Sequence, residues 1–135
     1  MGRVLDEVRK LADIEHGIMP NGEIVALDSV PNFMLQEAWD RVETAVKADA
    51  DEAWDILNNG SDREFSALIN CIPDIGGEFD RDEVNRELMQ IAKVRLKETQ
   101  DYDRMLISIK SGFGVLFDQF WNESELDSNK FKHAM

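Results

Sequence analysis

Apolar residues recur every three or four positions along most of the chain, which is the spacing of amphipathic helices. In the first such segment the pattern stops at Gly17, a residue suited to the left-handed conformation that ends many helices. The spacing therefore predicts a first helix over about residues 3–16. Its apolar stripe consists of Val4, Leu5, Val8, Leu11 and Ala12.

The helical spacing is interrupted over residues 18–26, where the sequence reads IMPNGEIVA. Pro, Asn and Gly stand in the order of a type I turn followed by a glycine bulge, with apolar residues on both sides. This order is compatible with a small β-hairpin. A two-stranded ribbon of this kind needs support from the neighbouring helices.

Helical spacing resumes after the capping residues and proline of DSVPNF, residues 28–33, and continues to Gly60. One unbroken helix of about seven turns fits this pattern. Alternatively, Asp49 could cap a second helix after a short break, because Asp is a favoured N-cap residue. The apolar positions are Leu35, Trp39, Val42, Val46, Ala50, Ala53 and Leu57.

The next start signal is SDRE at residues 61–64, a capping box that predicts a short helix ended by Pro73. DRDE at residues 80–83 repeats the signal. The apolar stripe that follows allows one very long helix or two helices with a break near Gln100, and we favour two. Two glycines, Gly112 and Gly114, weaken the later half.

These elements predict an all-α fold, a bundle of about five helices with the small hairpin after the first. A chain of 135 residues with 43% hydrophobic residues can bury one ordinary core. We therefore expect a single helical domain over residues 1–122. Residues 123–135 are polar and are predicted to form a flexible tail, and the longest helices offer surfaces for a homodimer.

The net charge indicates which kinds of partner the protein can bind. The chain has 28 acidic and 15 basic residues, a formal net charge of −13, which repels nucleic acid and anionic membrane surfaces. Residues 21–60 contain nine acidic and two basic residues, a net charge of −7 within this one segment. This asymmetry predicts a binding site for a basic protein surface. The residues predicted to form it are Glu37, Asp40, Glu43, Asp51, Glu52, Trp54 and Asp55.

Motifs for metals and cofactors are missing from the sequence. Cys71 is the single cysteine, next to Ile72 in an apolar segment, which predicts a buried and inert thiol. His16 follows Asp13 by three residues at the predicted end of the first helix, where we expect a capping role and a stabilised imidazolium. No cofactor is expected. A single cysteine cannot form an internal disulfide, which fits a reducing compartment. Together with the lack of a signal-peptide segment, this predicts a cytoplasmic protein.

One carboxylate arrangement suggests an enzyme. The pairs Asp80-x-x-Glu83 and Glu98-x-x-Asp101 resemble the ExxE and ExxD pairs of all-helical nucleoside triphosphate pyrophosphatases of the MazG type, with Asp in place of the first Glu. The resemblance implies a magnesium site formed by these four residues and hydrolysis of a nucleotide. Both pairs flank a single predicted helix.

The sequence thus supports three functional hypotheses. The leading one is an acidic non-enzymatic binding protein, of the inhibitor, immunity or anti-defence type, that covers a basic surface of a protein partner. The alternatives are the magnesium-dependent, pyrophosphatase-like enzyme and a structural subunit of a phage particle or multiprotein assembly.

Overall fold

A computed structural model describes residues 2–72, 75, 79 and 81–123, the last two of these by their backbone alone. Six α-helices of ten residues or more and a seven-residue terminal helix follow one another in this part of the chain. They are α1 (Arg3–Glu15), α2 (Asn32–Ala48), α3 (Ala50–Asn59), α4 (Asp62–Cys71), α5 (Asp82–Glu98), α6 (Tyr102–Phe113) and α7 (Phe117–Glu123). Short 3₁₀ turns lie at Leu27–Ser29 and Gly114–Leu116. The predicted all-α fold is confirmed.

The long apolar segment after Pro31 forms two helices, so the alternative of a break at Asp49 is the right one. Asp49 leaves the helical conformation at φ −149° and ψ 79°. Its Oδ1 accepts the backbone N–H of Glu52 at 3.2 Å, which makes it the N-cap of α3. Only Asp49 lies outside the two helices at this point, since α2 ends at Ala48 and α3 begins at Ala50. The apolar residues therefore keep their helical spacing in the sequence across the break.

The predicted break near Gln100 is confirmed. Helix α5 ends at Glu98, and Asp101 begins α6 by accepting the backbone N–H of Arg104 at 3.4 Å. The predicted capping box is present as well, because Ser61 and Glu64 each accept the other's backbone N–H.

The predicted hairpin is reduced to a single antiparallel bridge between Ile18 and Ile24. Met19 N–H donates to the Glu23 carbonyl at 2.8 Å, and Gly22 takes the positive φ of 88° that the turn requires. No strand extends from this bridge within the described residues. The physical reason is a lack of packing, since Ile24 is 78% exposed and a ribbon needs a buried face.

All seven helices contribute side chains to one hydrophobic core. Helix α1 packs against α2 and α4, α4 packs against α6, and α5 packs against α6 and α7. Helix α4 lies near the centre, with Phe65, Ala67, Leu68, Ile69 and Cys71 all buried. The prediction of a buried cysteine is confirmed, and the Cys71 thiol donates to the Ala67 carbonyl at 3.3 Å.

Gly112 allows α6 to approach α4 closely. A Cβ atom at this position would lie 2.1 Å from the Ile69 carbonyl oxygen and 3.1 Å from the Asn70 Cα atom. Any larger residue would therefore push the two helix backbones apart. The glycine that weakens α6 as an isolated helix thus sets the spacing between α4 and α6, which form two sides of the cleft described below.

Candidate functional site

The residues predicted to bind a basic partner lie on two consecutive helices. Glu37, Asp40 and Glu43 are on α2, and Asp51, Glu52, Trp54 and Asp55 are on α3. The break at Asp49 means that they do not share one continuous helix face.

Most of these carboxylates are not neutralised by basic residues. Arg41 and Lys47, the two basic residues of segment 21–60, pair with Glu37 at 3.7 Å and with Glu43 at 3.0 Å. Asp40, Asp51 and Asp55 are exposed, and no lysine or arginine of the described residues forms an ion pair with them. Asp40 accepts from the Gln36 amide and Asp55 from the Asn59 amide. We call Glu37, Asp40, Glu43, Asp51 and Asp55 the acidic α2–α3 face.

Two of the predicted binding residues have other contacts. Glu52 accepts the backbone N–H groups of Val4 at 3.1 Å and Leu5 at 3.2 Å, so its carboxylate stabilises the start of α1. Trp54 is half-buried and its ring lies 5.5 Å from the ring of Phe79. The structure thus gives both residues a part in holding the fold together, and we leave them out of the acidic α2–α3 face.

The three described residues of the magnesium hypothesis, Glu83, Glu98 and Asp101, are not brought together. Glu83 lies in the first turn of α5 and Glu98 is its last residue, about 22 Å apart at 1.5 Å per residue. Asp101 is the N-cap of α6, and Asp80 lies outside the described residues. Within the described part of the chain, no three His, Cys, Asp or Glu residues are grouped so that they could hold a metal ion.

A cleft of about 700 Å³ opens where the end of α1, the start of α2, α4 and the start of α6 meet. Its lining combines apolar and polar side chains. The apolar lining residues include Leu27, Val30, Leu35, Trp39 and Ile107. The polar ones include Glu15, His16, Arg63, Asn70, Asp101 and Arg104. A cleft of this size that offers both apolar surface and polar groups is suited to a small molecule.

Glu15 is a largely buried carboxyl within this cleft. The Asn70 amide donates to its Oε2 at 3.2 Å. Burial raises the pKa of Glu15 from 4.5 to about 7, although the Asn70 hydrogen bond, the Arg104 charge and the nearby Trp39 indole all favour the ionised form. Near neutral pH the carboxyl is therefore present in both protonation states.

Two buried polar atoms near Glu15 have no hydrogen-bond partner among the described residues. They are Nε1 of Trp39 and Oδ1 of Asn70. The Trp39 indole is close enough to Glu15 to favour its ionised form without making a hydrogen bond of ordinary geometry. An unsatisfied buried donor and an unsatisfied buried acceptor each cost about 1–3 kcal/mol, so both atoms would gain from a bound polar group.

His16 is the C-cap of α1, as the sequence predicts, but its surroundings do not stabilise the imidazolium as expected. Burial and then the positive charges of Arg104 and Arg63 lower the pKa of His16. Asp13 and Asp101 act in the opposite direction and are outweighed. The sequence shows only the neighbouring Asp13; it does not show the burial of His16, which is the largest cause, or the charges of two arginines from α4 and α6.

The sequence gives little sign of this cleft. Glu15, Asn70 and Arg104 each look like ordinary surface residues, and they come from three helices. The one usable signal is that Trp39 lies on the apolar stripe of α2 yet carries an N–H group that needs a partner.

No protein-family model matches the chain, and no curated protein or solved structure is significantly similar to it. Among the described residues, no helix has the length and apolar character that crossing a membrane requires.

Proposed function

We propose that the chain is a non-enzymatic binding protein whose acidic α2–α3 face docks on a basic surface of a protein partner. The observation that carries the proposal is that Asp40, Asp51 and Asp55 are exposed and form no ion pair with a described residue. Inhibitors and immunity proteins that cover a basic site are the kind of protein that this surface suits.

The two ion pairs on α2 do not remove the negative field. Arg41 and Lys47 are already included in the net charge of −7 for residues 21–60, so pairing them with Glu37 and Glu43 leaves that sum unchanged. Exposed pairs four residues apart on a helix contribute only about 0.3–0.5 kcal/mol each. A basic partner could therefore exchange them for its own contacts at little cost.

A surface of this kind contributes mainly to the rate and selectivity of association. Attraction between opposite charges raises the association rate and disfavours partners of the same sign, and salt weakens it. Nucleic acid carries the wrong charge for this surface.

The experiment is a titration of the ¹⁵N-labelled protein with a ten-residue oligolysine peptide, followed by backbone amide shifts. We expect the largest shifts on α2 and α3 around Asp40, Asp51 and Asp55, and binding that weakens strongly between about 50 and about 300 mM salt. Equal shifts around the exposed acidic residues Glu87 and Glu98 of α5, or binding indifferent to salt, would refute the proposal.

A homodimer and a role as a structural subunit of an assembly stay predictions. Light scattering over a range of concentrations tests the homodimer directly. A monomer at every concentration would exclude it.

A further inference from the structure

The cleft between α1, α2, α4 and α6 contains two arginines without a carboxylate partner. Arg63 in the first turn of α4 and Arg104 in the first turn of α6 both line it, and neither forms an ion pair with a described residue. Among the described residues, Arg104 donates to one acceptor, the backbone carbonyl oxygen of Glu15, at 3.4 Å. Acidic residues outnumber basic ones 28 to 15 in this chain, so two arginines at one cleft without a described ion pair are unexpected.

The two arginines line the same part of the cleft. His16, Arg63 and Arg104 together line both the cleft and a smaller pocket beside it. These three side chains come from the end of α1, from α4 and from α6. Guanidinium groups donate several hydrogen bonds in a fixed plane, a geometry that matches the two oxygens of a carboxylate.

The apolar residues of the cleft determine the rest of the ligand. Leu27, Val30, Leu35 and Ile107 present apolar surface, and Leu27 is 56% and Ile107 67% exposed. The Trp39 ring also lines the cleft, with a buried N–H that has no partner among the described residues. An apolar or aromatic body would cover these side chains, and a polar substituent on it would satisfy the Trp39 N–H or the Asn70 Oδ1.

We propose that this cleft binds a small organic carboxylate with an apolar or aromatic body, its carboxylate held by Arg63 and Arg104 and its body packed on the apolar side chains around Trp39. This site is distinct from the acidic α2–α3 face, and neither proposal depends on the other.

The acidic residues of the cleft limit the charge of the ligand to one. Asp101 and Asp103 also line the cleft, and Asp101 is held in place as the N-cap of α6. Glu15 adds further negative charge in its ionised form. The two arginines share the cleft with Asp101 and Asp103, so there is no surplus positive charge and a carboxylate would be held by guanidinium hydrogen bonds rather than by net charge. A doubly charged phosphate would be repelled more strongly by the acids. A carboxylate is therefore favoured over a phosphate monoester.

The test uses the indole ¹⁵N–¹H signals, which the three tryptophans supply, with the Trp39 signal assigned by the Trp39→Phe variant. The protein is titrated at pH 7 with 3-phenylpropionate, with phenethylamine as the cationic counterpart of similar shape, and with phenyl phosphate. We expect 3-phenylpropionate to shift the Trp39 signal with a dissociation constant on the order of 1 mM, and phenethylamine to leave it unchanged up to about 20 mM.

The arginines are tested by the double variant Arg63→Gln/Arg104→Gln, for which we expect binding of 3-phenylpropionate at least about tenfold weaker. Arg3→Gln/Lys47→Gln removes the same charge at the opposite end of α1 and α2 and should bind as the wild type does. Unchanged affinity in the first variant, or equal loss in both, would overturn the proposal.

Comparing the three compounds on the wild-type protein tests the proposed ligand class without any variant. Binding of phenethylamine as tight as that of 3-phenylpropionate, or no shift of the Trp39 signal with any of the three compounds, would also overturn the proposal. Tighter binding of phenyl phosphate would contradict the assignment of a singly charged ligand.

Discussion

The carboxylate of Glu52 accepts the backbone N–H of Val4 at 3.1 Å, which joins the start of α3 to the start of α1 across 48 positions of sequence. The same carboxylate accepts the N–H of Leu5 at 3.2 Å. The first N–H groups of a helix have no partner within it, and the residue before α1, Gly2, has no side chain to supply one. Glu52 therefore takes the place of an N-cap residue from a distant part of the chain.

Replacing Glu52 should destabilise the fold. We expect Glu52→Ala to lower the free energy of unfolding by about 1–2 kcal/mol, because two N–H groups lose their acceptor and the positive end of α1 loses a negative charge. Asp51→Ala is the matched control. Asp51 is exposed in the same helical turn, and its removal should change stability by less than about 0.5 kcal/mol. Equal losses in urea unfolding would refute the capping role.

The raised pKa of Glu15 makes stability depend on pH. Between pH 4.5 and about 7 the unfolded chain releases the Glu15 proton while the folded protein retains it, so stability falls as pH rises through this window. The Glu15→Gln variant does not lose stability in this way, because glutamine does not ionise. We expect it to be more stable than the wild type by on the order of 2–3 kcal/mol at pH 8 and nearly equal to it at pH 4.5.

Thermal or urea unfolding at several pH values measures this difference. The control is Glu87→Gln, which removes a carboxylate from an exposed position on α5. Its stability should follow that of the wild type at every pH. If the stability of Glu15→Gln relative to the wild type does not rise between pH 4.5 and pH 8, Glu15 is ionised as easily in the folded state as in the unfolded chain.

Gly112→Ala distinguishes packing from helix propensity. Propensity alone predicts a gain of about 1 kcal/mol, because Ala is the better helix former. The structure predicts the opposite sign, a loss of about 1–3 kcal/mol, because the new Cβ would lie 2.1 Å from the Ile69 carbonyl oxygen. Ser111→Ala, at the exposed neighbouring position, should be close to neutral. A stabilised Gly112→Ala variant in urea unfolding would contradict the close approach of α4 and α6.

The helices could be predicted because their signals are local. The capping box of Ser61 and Glu64 and the N-cap residues Asp49 and Asp101 act within three residues of themselves, and the apolar spacing needs only the neighbouring turns. The possible hairpin is present only as the single bridge between Ile18 and Ile24, for the converse reason. Its turn residues are correct, but a longer ribbon also needs packing by distant residues, and Ile24 is 78% exposed.

The cleft could not be predicted because it depends on distant contacts. Glu15 and Asn70 are 55 positions apart, and Glu15 and Arg104 are 89 apart. Gly112 allows α6, which carries Arg104, to lie close to α4, which carries Asn70. Glu52 illustrates the same limit, since its sequence neighbours suggest a surface acid whereas its partners lie on α1.

We propose that negative charge on the acidic α2–α3 face, rather than net charge alone, binds a basic partner. The most direct measurement compares two triple variants with equal change in net charge for binding of the oligolysine peptide at about 50 mM salt. One is Asp40→Asn/Asp51→Asn/Asp55→Asn. The other is Glu87→Gln/Glu98→Gln/Asp118→Asn, at exposed positions of α5 and α7. We predict at least about tenfold weaker binding for the first and less than about threefold for the second. Equal weakening of both variants would contradict the claim.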